Sequence, residues 1–138
     1  MVGVRIGYFE AFKGHDTLLI DGDPEGLDAL ARALLVLIAG DMELLSLNHL
    51  AFVSSAKEVE VNAHRSLKDV GMLKEANVFH WRRSPRAWAG VVEQILGVRE
   101  QGRCHQYLDA PSDDVVVMVS SGEYGEPWPT WPSTWRGK

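Results

Sequence analysis

DPEGLDALARALLVLIAG, residues 23–40, is the stretch of this sequence that decides its fold. Asp23 is suited to cap the free N–H groups at the start of a helix, and Pro24 fits the first helical position, where no N–H donor is needed. Gly40 tolerates the left-handed conformation that ends many helices. The apolar residues that recur between these ends at helical spacing are Leu27, Leu30, Leu34, Leu37 and Ile38. We therefore predict an amphipathic helix over residues 23–40.

A second stretch of the sequence carries the same signals. Ser84 and Pro85 mark a helix start, and Gly102 marks its end. The apolar stripe between them consists of Trp88, Val91, Ile95 and Val98. The sequence thus predicts two capped helices of one kind.

The two helices belong to an internal repeat that covers residues 17–65 and 77–124. At one constant offset, Leu18, Ile20, Asp23, Pro24, Leu27, Leu30, Leu34 and Leu37 match Phe79, Trp81, Ser84, Pro85, Trp88, Val91, Ile95 and Val98. At a second constant offset, His49, Phe52, Val59 and Val61 match His105, Leu108, Val115 and Val117. Each half is therefore predicted to run strand, helix, strand, strand.

Strands are predicted where apolar residues alternate or β-prone residues cluster. The predicted strands are residues 2–9, 17–20, 47–53, 57–63, 77–81, 104–108 and 115–120. Residues 65–76 join the two halves, and Gly71 weakens any short helix there.

One such half leaves a helix face uncovered and strand edges open, and a second half can cover both. We predict an α+β fold in which two pseudo-symmetric β-α-β-β halves form one antiparallel sheet with both helices packed on one face. An N-terminal strand joins this unit, and a Trp- and Pro-rich C-terminal tail, residues 125–138, follows it. We expect residues 1–138 to form a single domain.

Composition limits the classes of function. The formal charge of -5 argues against nucleic-acid binding and is compatible with a basic partner. A single cysteine, Cys104, allows no internal disulfide, which favours a cytoplasmic location. The sequence has no apolar run near the ~20 residues that cross a bilayer, and no secretory signal pattern at its N-terminus. We expect a cytoplasmic protein with no membrane partner.

Several histidines are candidates for metal ligands or catalytic bases. His49 and His105 are equivalent in the repeat, and His64 and His80 lie near strand ends. The sequence has no HExxH or HxH pattern and no cysteine pair, so we expect ordinary half-buried histidines and no metal or cofactor. Adjacent Cys104 and His105 point to opposite faces of a strand, which argues against a nucleophile–base pair.

Polar and aromatic groups converge if the last two strands form a hairpin. His105 and Tyr107 then lie near Glu123, an arrangement that favours a small-molecule pocket or simply a hydrogen-bonded hairpin end. Another group is the basic cluster Arg82, Arg83 and Arg86 at the second helix start. These cations oppose the helix dipole. They therefore bind a partner, pair with a buried acid, or lie on a face exposed to solvent.

The tail carries three of the five tryptophans, at Trp128, Trp131 and Trp135. Three prolines in the same segment exclude a regular helix or a central strand. Unstructured tails are poor in aromatic residues, so we expect this one to dock. It is either a lid over its own domain or an aromatic anchor for a protein partner or a sugar-like ligand.

Residues 17–65 resemble a bacterial family of immunity proteins from polymorphic toxin systems. The resemblance rests on the run from Gly22 to Leu27, on Leu30-Ala31 and Leu34-Leu35, on His49 and on the strand from Val59 to Val61. It covers about a third of the chain, and the second half and the tail depart from the pattern. No toxin-contact residue is carried over. The resemblance implies a small cytoplasmic protein that acts by binding rather than by catalysis.

Three hypotheses about function follow. The leading one is a non-catalytic protein-binding module, including a toxin-neutralising immunity protein. The second is a small enzyme or small-molecule-binding domain with a site at His105, Tyr107 and Glu123. The third is a structural homo-oligomer, such as a homodimer, joined through the tail or an open sheet edge.

Overall fold

The computed structural model describes residues 3–12, 14–56 and 59–122. Within these residues the chain forms two α-helices, α1 (Pro24–Ala39) and α2 (Pro85–Gln101), and one 3-10 turn, Leu47–His49. The strands are β1 (Val4–Phe12), β2 (His15–Gly22), β3 (Leu44–Ser46), β4 (Val53–Ser55), β5 (Glu60–Arg65), β6 (Gly71–Glu75), β7 (Val78–Arg83), β8 (Cys104–Tyr107) and β9 (Val116–Ser121).

The strands are arranged in two mixed sheets. The larger sheet has the order β4-β1-β2-β9-β8, and the smaller has the order β3-β5-β7-β6. In the larger sheet β2 is antiparallel to β1 and parallel to β9, whereas in the smaller sheet β7 is antiparallel to β6 and parallel to β5. Four strands of the larger sheet, in the order β8-β9-β2-β1, therefore show the same pattern of parallel and antiparallel pairing as the four strands of the smaller sheet, in the order β3-β5-β7-β6.

The α+β class is confirmed, but the predicted single antiparallel sheet is wrong. Each strand that precedes a helix pairs in parallel with the last strand of the other half. Thr17 of β2 lies beside Val116 of β9, and Val78 of β7 lies beside Glu60 of β5. Because these parallel pairs join strands from different halves, each half contributes strands to both sheets.

The chain passes between the two sheets four times: from β2 to β3 through α1, from β3 to β4, from β4 to β5, and from β7 to β8 through α2. After β4 pairs with β1 in the larger sheet, the chain continues as β5 in the smaller one. Later, the N–H groups of Ser112 and Asp114 donate to the carbonyls of Val70 and Met72 beside β6. The chain then continues as β9 in the larger sheet, so the loop between β8 and β9 also links the two sheets.

The predicted helix ends are confirmed. Asp23 Oδ1 accepts a hydrogen bond from the Gly26 N–H (2.6 Å), and Ser84 Oγ accepts one from the Ala87 N–H (3.2 Å). The helix α1 ends at Gly40, whose φ of 86° lies in the left-handed region.

The main core lies between the helices and the inner faces of both sheets. The helices pack against each other, and the largest buried side chains, Trp81 and Trp88, meet edge to face with ring centroids 4.8 Å apart. The helical core residues are Leu27, Leu30, Ala31, Leu34, Leu37, Trp88, Val91, Val92, Ile95 and Val98. Both predicted apolar stripes therefore face this core.

Two predicted segments differ from the structure. The predicted strand over residues 47–53 is instead a 3-10 turn followed by the short strand β4, because the Asn48 side chain bonds to the backbone of Val59 and Val61 and holds the chain in a turn. The join over residues 65–76 contains the strand β6, which pairs with β7. Among the described residues, neither helix has the length and apolarity that a membrane span requires.

Candidate functional site

The two described residues of the predicted small-molecule site lie together at the edge of the larger sheet. His105 and Tyr107 are two positions apart on β8, and their rings meet edge to face at 5.6 Å. The third residue, Glu123, lies outside the described residues, as do Trp128, Trp131 and Trp135. A cleft of about 240 Å³ beside α2 is lined by His105, Cys104 and Gln106 but not by Tyr107. The two rings therefore share a strand face without sharing that cleft.

A polar row crosses the outer face of the larger sheet, the face turned away from the main core. Its members are cross-strand neighbours on four successive strands: Arg5, Asp21, Ser120 and His105. Ser120 Oγ donates to Asp21 Oδ1 (2.6 Å), and the Arg5 guanidinium donates to Asp21 Oδ2 (3.0 Å). Asp21 and Ser120 are buried, so the carboxylate is held by a charged and a neutral donor in a desolvated setting. Sequence reasoning missed this row.

An apolar cluster lies next to the polar row on the same outer face. Phe9, Leu19 and Met118 are 1%, 0% and 0% exposed and form a core cluster of their own, with Phe12 packed against it. Their strand neighbours Leu18, Ile20 and Val119 belong to the main core instead. The larger sheet is thus buried on both faces at its centre.

The smaller sheet carries a different outer face, which we name the histidine face and define as Asn62, His64, His80, Arg82, Glu60 and Glu75. His64 Nε2 and His80 Nδ1 are 3.1 Å apart and share a hydrogen bond between β5 and β7. His80 Nε2 lies 3.3 Å from Glu75 Oε1 on β6. The side chains of His64, His80 and Glu75 therefore form a continuous row of polar contacts across β5, β7 and β6. The sequence shows both histidines near strand ends, but their pairing depends on the register between β5 and β7.

The electrostatics of the histidine face keep His64 neutral. Burial of the imidazole, then the positive charge of Arg82 and the neighbouring His80, lower the pKa of His64 to about 4. Its backbone carbonyl also accepts a hydrogen bond from the Trp88 indole N–H at 2.9 Å, which ties this face to the helix beneath. At pH 7 His64 therefore offers a neutral, oriented imidazole.

The predicted basic cluster is divided between different surroundings. Arg83 is buried and forms a bidentate pair with Asp69 (2.5 and 3.2 Å), so this arginine serves a partly buried acid. Arg82 lies on the histidine face, and Arg86 is exposed in the first turn of α2. The three arginines therefore do not form one ligand site.

The remaining histidine and cysteine of interest do not converge. His49 lies in the 3-10 turn, whereas His105 lies on β8, so their proposed equivalence is wrong. The register places Ser120 opposite His105 and His64 opposite Leu44, which makes Leu44 the counterpart of His105. Cys104 packs against the main core and points its Sγ at the Val98 carbonyl (3.7 Å).

A cleft between the two helices is lined by several charges that already have partners. This cleft, of about 610 Å³, contains Asp28, which pairs with both Arg99 (2.9 Å) and Arg32 (2.5 Å). Within the part of the chain that the structure describes, no three His, Cys, Asp or Glu side chains are grouped as metal ligands. Among the described residues, the histidine face is a polar surface with a hydrogen-bonded pair of side chains at its centre.

Comparison with known proteins gives no match: no family model, no curated protein and no solved structure is similar to this chain.

Proposed function

We propose that this chain is a non-catalytic protein-binding module and that its docking surface is the histidine face. The observation that carries this proposal is the hydrogen-bonded pair of His64 and His80 on the two central strands of the smaller sheet. Both side chains are half-buried, and Arg82 lies beside them. Groups fixed in this way on a rigid sheet lose little conformational freedom when a partner docks.

The charge around the histidine face favours a basic partner. Glu60 and Glu75 are exposed at its rim, and His64 is uncharged at pH 7. The formal charge of the whole chain is -5. Complementary charge at an interface rim speeds association and selects partners, so a basic protein surface fits this face.

We propose further that the partner is a bacterial protein toxin, which this chain neutralises in the cytoplasm. The support is the resemblance of residues 17–65 to immunity proteins of polymorphic toxin systems. An immunity protein acts by tight stoichiometric binding, which needs a preformed surface rather than a catalytic set. The histidine face supplies such a surface.

The first experiment tests neutralisation directly. The protein encoded by the adjacent gene is expressed with and without this chain, and cell growth and complex formation are measured. We expect growth to be restored and an equimolar complex to be isolated. Persistent toxicity with both proteins present would exclude this toxin as the partner.

The second experiment locates the surface. The variant Glu60→Lys/Glu75→Lys reverses two charges on the rim, and we expect it to weaken binding by about tenfold or more. The control is Glu25→Lys/Glu93→Lys, which makes the same charge change on the exposed faces of the two helices. If both pairs weaken binding equally, the histidine face is not the docking surface.

A further inference from the structure

We propose that the histidine face binds a divalent transition metal ion such as Zn²⁺, with His64 Nε2 and His80 Nδ1 as its protein ligands. The ion takes the place of the hydrogen bond that now joins these two ring nitrogens. The inference concerns the isolated chain, so it does not depend on the docking of a protein partner.

The first argument is the distance between the two ring nitrogens. Bonds from zinc to imidazole nitrogen are about 2.0–2.1 Å long, so two such nitrogens on one ion are about 2.8–3.4 Å apart for ligand angles of about 90–109°. His64 Nε2 and His80 Nδ1 are 3.1 Å apart. The pair therefore has the spacing of two ligands of one ion, and rotation of the rings brings both lone pairs onto it without movement of β5 or β7.

The second argument is the carboxylate on the far side of His80. Glu75 Oε1 lies 3.3 Å from His80 Nε2, and its negative charge favours a proton on that nitrogen. A proton on Nε2 leaves the lone pair of the neutral ring on Nδ1, the nitrogen that faces His64. Histidines that bind metals usually have a carboxylate or a carbonyl at their other ring nitrogen. Glu75 is therefore a positioning residue that selects the tautomer a metal requires.

Binding of the ion requires one proton to change its place. Because His80 Nδ1 accepts the hydrogen bond between the rings, His64 Nε2 donates it. When the ion binds, the His64 proton moves from Nε2 to Nδ1 through solvent, and Nε2 gives its lone pair to the metal. Both imidazoles stay neutral, so the site gains the charge of the ion and releases no proton.

The strands that carry the two ligands hold them in place. β5 and β7 are the central strands of the smaller sheet and pair from Glu60 to Arg65 without a break. The His64 carbonyl also accepts a hydrogen bond from the Trp88 indole at 2.9 Å, which fixes the backbone of this ligand. Ligands fixed before binding lose little conformational freedom when the ion arrives.

The larger sheet shows that the fold does not require this pair. By the register of the two parallel strand pairs, His64 corresponds to Ser120 and His80 corresponds to Leu19. A serine and a leucine offer no nitrogen ligands, yet they occupy the same places in a sheet of the same pairing pattern. The histidine pair is therefore a special feature of the smaller sheet, as expected for a binding site.

The ligand type and the neighbouring charges define the ion. Imidazole nitrogen suits Zn²⁺, Ni²⁺ and Cu²⁺, whereas Mg²⁺ and Ca²⁺ prefer oxygen ligands. Arg82 lies beside His64 and works against any cation, while Glu75 beside His80 works for it. Among the described residues no third His, Cys, Asp or Glu completes the ligand set. Water molecules therefore occupy the remaining coordination positions, on the side that faces away from the sheet.

The test titrates the full, tag-free chain with Zn²⁺ in a calorimeter, with Mg²⁺ as the control ion. We expect one saturable Zn²⁺ site, no Mg²⁺ site, and loss of the Zn²⁺ site in His64→Gln and in His80→Gln. The matched control His49→Gln, at an exposed position, should leave binding unchanged. Absence of a saturable site, or a site that survives both ligand replacements, would overturn the proposal.

Two further variants separate ligation from a structural role. Glu75→Gln keeps the size of the side chain but removes its charge, and it should weaken Zn²⁺ binding by about tenfold or more. Arg82→Gln removes the opposing charge and should strengthen binding. Variants that merely loosen the sheet would both weaken binding, and that result would contradict the proposed electrostatics of the site.

A spectroscopic measurement locates the ion in the unaltered protein and needs no variant to fold. In long-range ¹H–¹⁵N spectra of the imidazoles, Zn²⁺ should shift His64 Nε2 and His80 Nδ1 and leave His15, His49 and His105 unchanged. Shifts at these other histidines in place of the pair would overturn the proposal. No protein partner is present in these experiments, so a negative result would leave the docking surface to its own charge-reversal test.

Discussion

Gly26 in the first turn of α1 lies directly against the carbonyl group of Gly3. A Cβ atom at position 26 would be 2.2 Å from the Gly3 oxygen and 2.5 Å from its carbon. Asp23 joins the same two residues, because its Oδ1 accepts from the Gly26 N–H and its Oδ2 accepts from the Gly3 N–H (3.1 Å). The start of the helix and the start of β1 are therefore fixed to each other by backbone contact.

This contact predicts a reversal of the usual effect of alanine in a helix. Gly26→Ala should destabilise the protein by about 1–3 kcal/mol, since the backbone of β1 has to move. The control is Gly97→Ala in α2, where no described atom lies within 4 Å of the added Cβ. Alanine should stabilise that position by about 0.5–1 kcal/mol through helix propensity. Urea unfolding measures both changes, and a stabilising Gly26→Ala would contradict the contact.

Asn48 fixes the 3-10 turn to β5 and to the end of β4, and its amide should not tolerate a carboxylate. Its Nδ2 donates to the Val59 carbonyl and to Ser55 Oγ, both at 2.7 Å, while its Oδ1 accepts from the Val61 N–H at 2.6 Å. Asn48→Asp places an acceptor against the Val59 carbonyl, so we expect a loss of about 2–3 kcal/mol at pH 7.

The matched control for Asn48 is Asn77→Asp, which makes the same chemical change at an exposed turn. Its effect should be within about 0.5 kcal/mol. Equal effects in denaturant unfolding would show that the amide contacts of Asn48 contribute nothing specific.

His64 should make the folded state sensitive to acid. Its pKa is about 4 in the folded protein and near 6.5 in the unfolded chain, so the unfolded chain binds the proton more readily. Stability should therefore fall as the pH decreases from about 6.5 to 4. The groups that face the imidazole are Arg82 and His80, with Glu75 beyond His80.

The measurement compares urea midpoints at pH 7.5 and pH 4.5. His64→Gln should reduce the difference between the two midpoints, because glutamine does not titrate. His15→Gln, at an exposed position, should leave the difference unchanged. An unaltered pH dependence in His64→Gln would exclude this histidine as the titrating group.

Ser120 and Asp21 should be energetically coupled. Ser120→Ala removes a 2.6 Å donor from a buried carboxylate, at an expected cost of about 1–3 kcal/mol. Once Asp21 has been replaced by asparagine, the same Ser120→Ala change should cost less, because the hydrogen bond no longer serves a charge. A double-mutant cycle in urea measures the difference, and strict additivity would contradict the coupling.

Gly71 should tolerate alanine less well than Gly14. Both have positive φ, 145° and 89°, so alanine is strained at either position. At Gly71 the added Cβ would also lie 2.6 Å from Asp113 Oδ1, whereas no described atom lies within 4 Å at Gly14. Gly71→Ala should lower the thermal midpoint further than Gly14→Ala. Equal thermal midpoints for the two variants would show that the loop of residues 109–114 moves away from the added Cβ atom without loss of stability.

The parts of the fold that sequence predicts well are those with local causes. Asp23, Pro24 and Gly40 act within one or two turns of α1, and the same holds for Ser84 at α2. These signals need no knowledge of distant residues. The sequence therefore predicts both helices without knowledge of any tertiary contact.

Strand partners could not be predicted in the same way. Asp21 and Ser120 are cross-strand neighbours although they are 99 residues apart. No local pattern states whether β2 will pair with the strand that follows its own helix or with one from the other half. The strand β6 was missed because Gly71, Lys74 and Glu75 weaken its β pattern, and its pairing with β7 overrides that weak propensity.

The sequence indicates which residues belong to the site but does not predict how they are arranged. The sequence places His80 within a predicted strand and His64 just beyond the end of another. Their 3.1 Å contact follows from the parallel register of β5 and β7, which composition does not reveal. The row on the larger sheet was missed for the same reason.

The exchange of strands between the two sheets has a consequence for how the chain folds as it is synthesised. All four strands of the smaller sheet are contained in residues 44–83, so their pairing can begin before the second helix leaves the ribosome. The larger sheet cannot be completed until β9 has been synthesised. In the described fold β9 is the strand that pairs with β2 on the side away from β1. Contacts of such long sequence separation give a high contact order and slow closure. We therefore expect a nascent chain to hold β1 and β2 as an exposed hairpin, a natural substrate for chaperones, until residues 116–121 emerge.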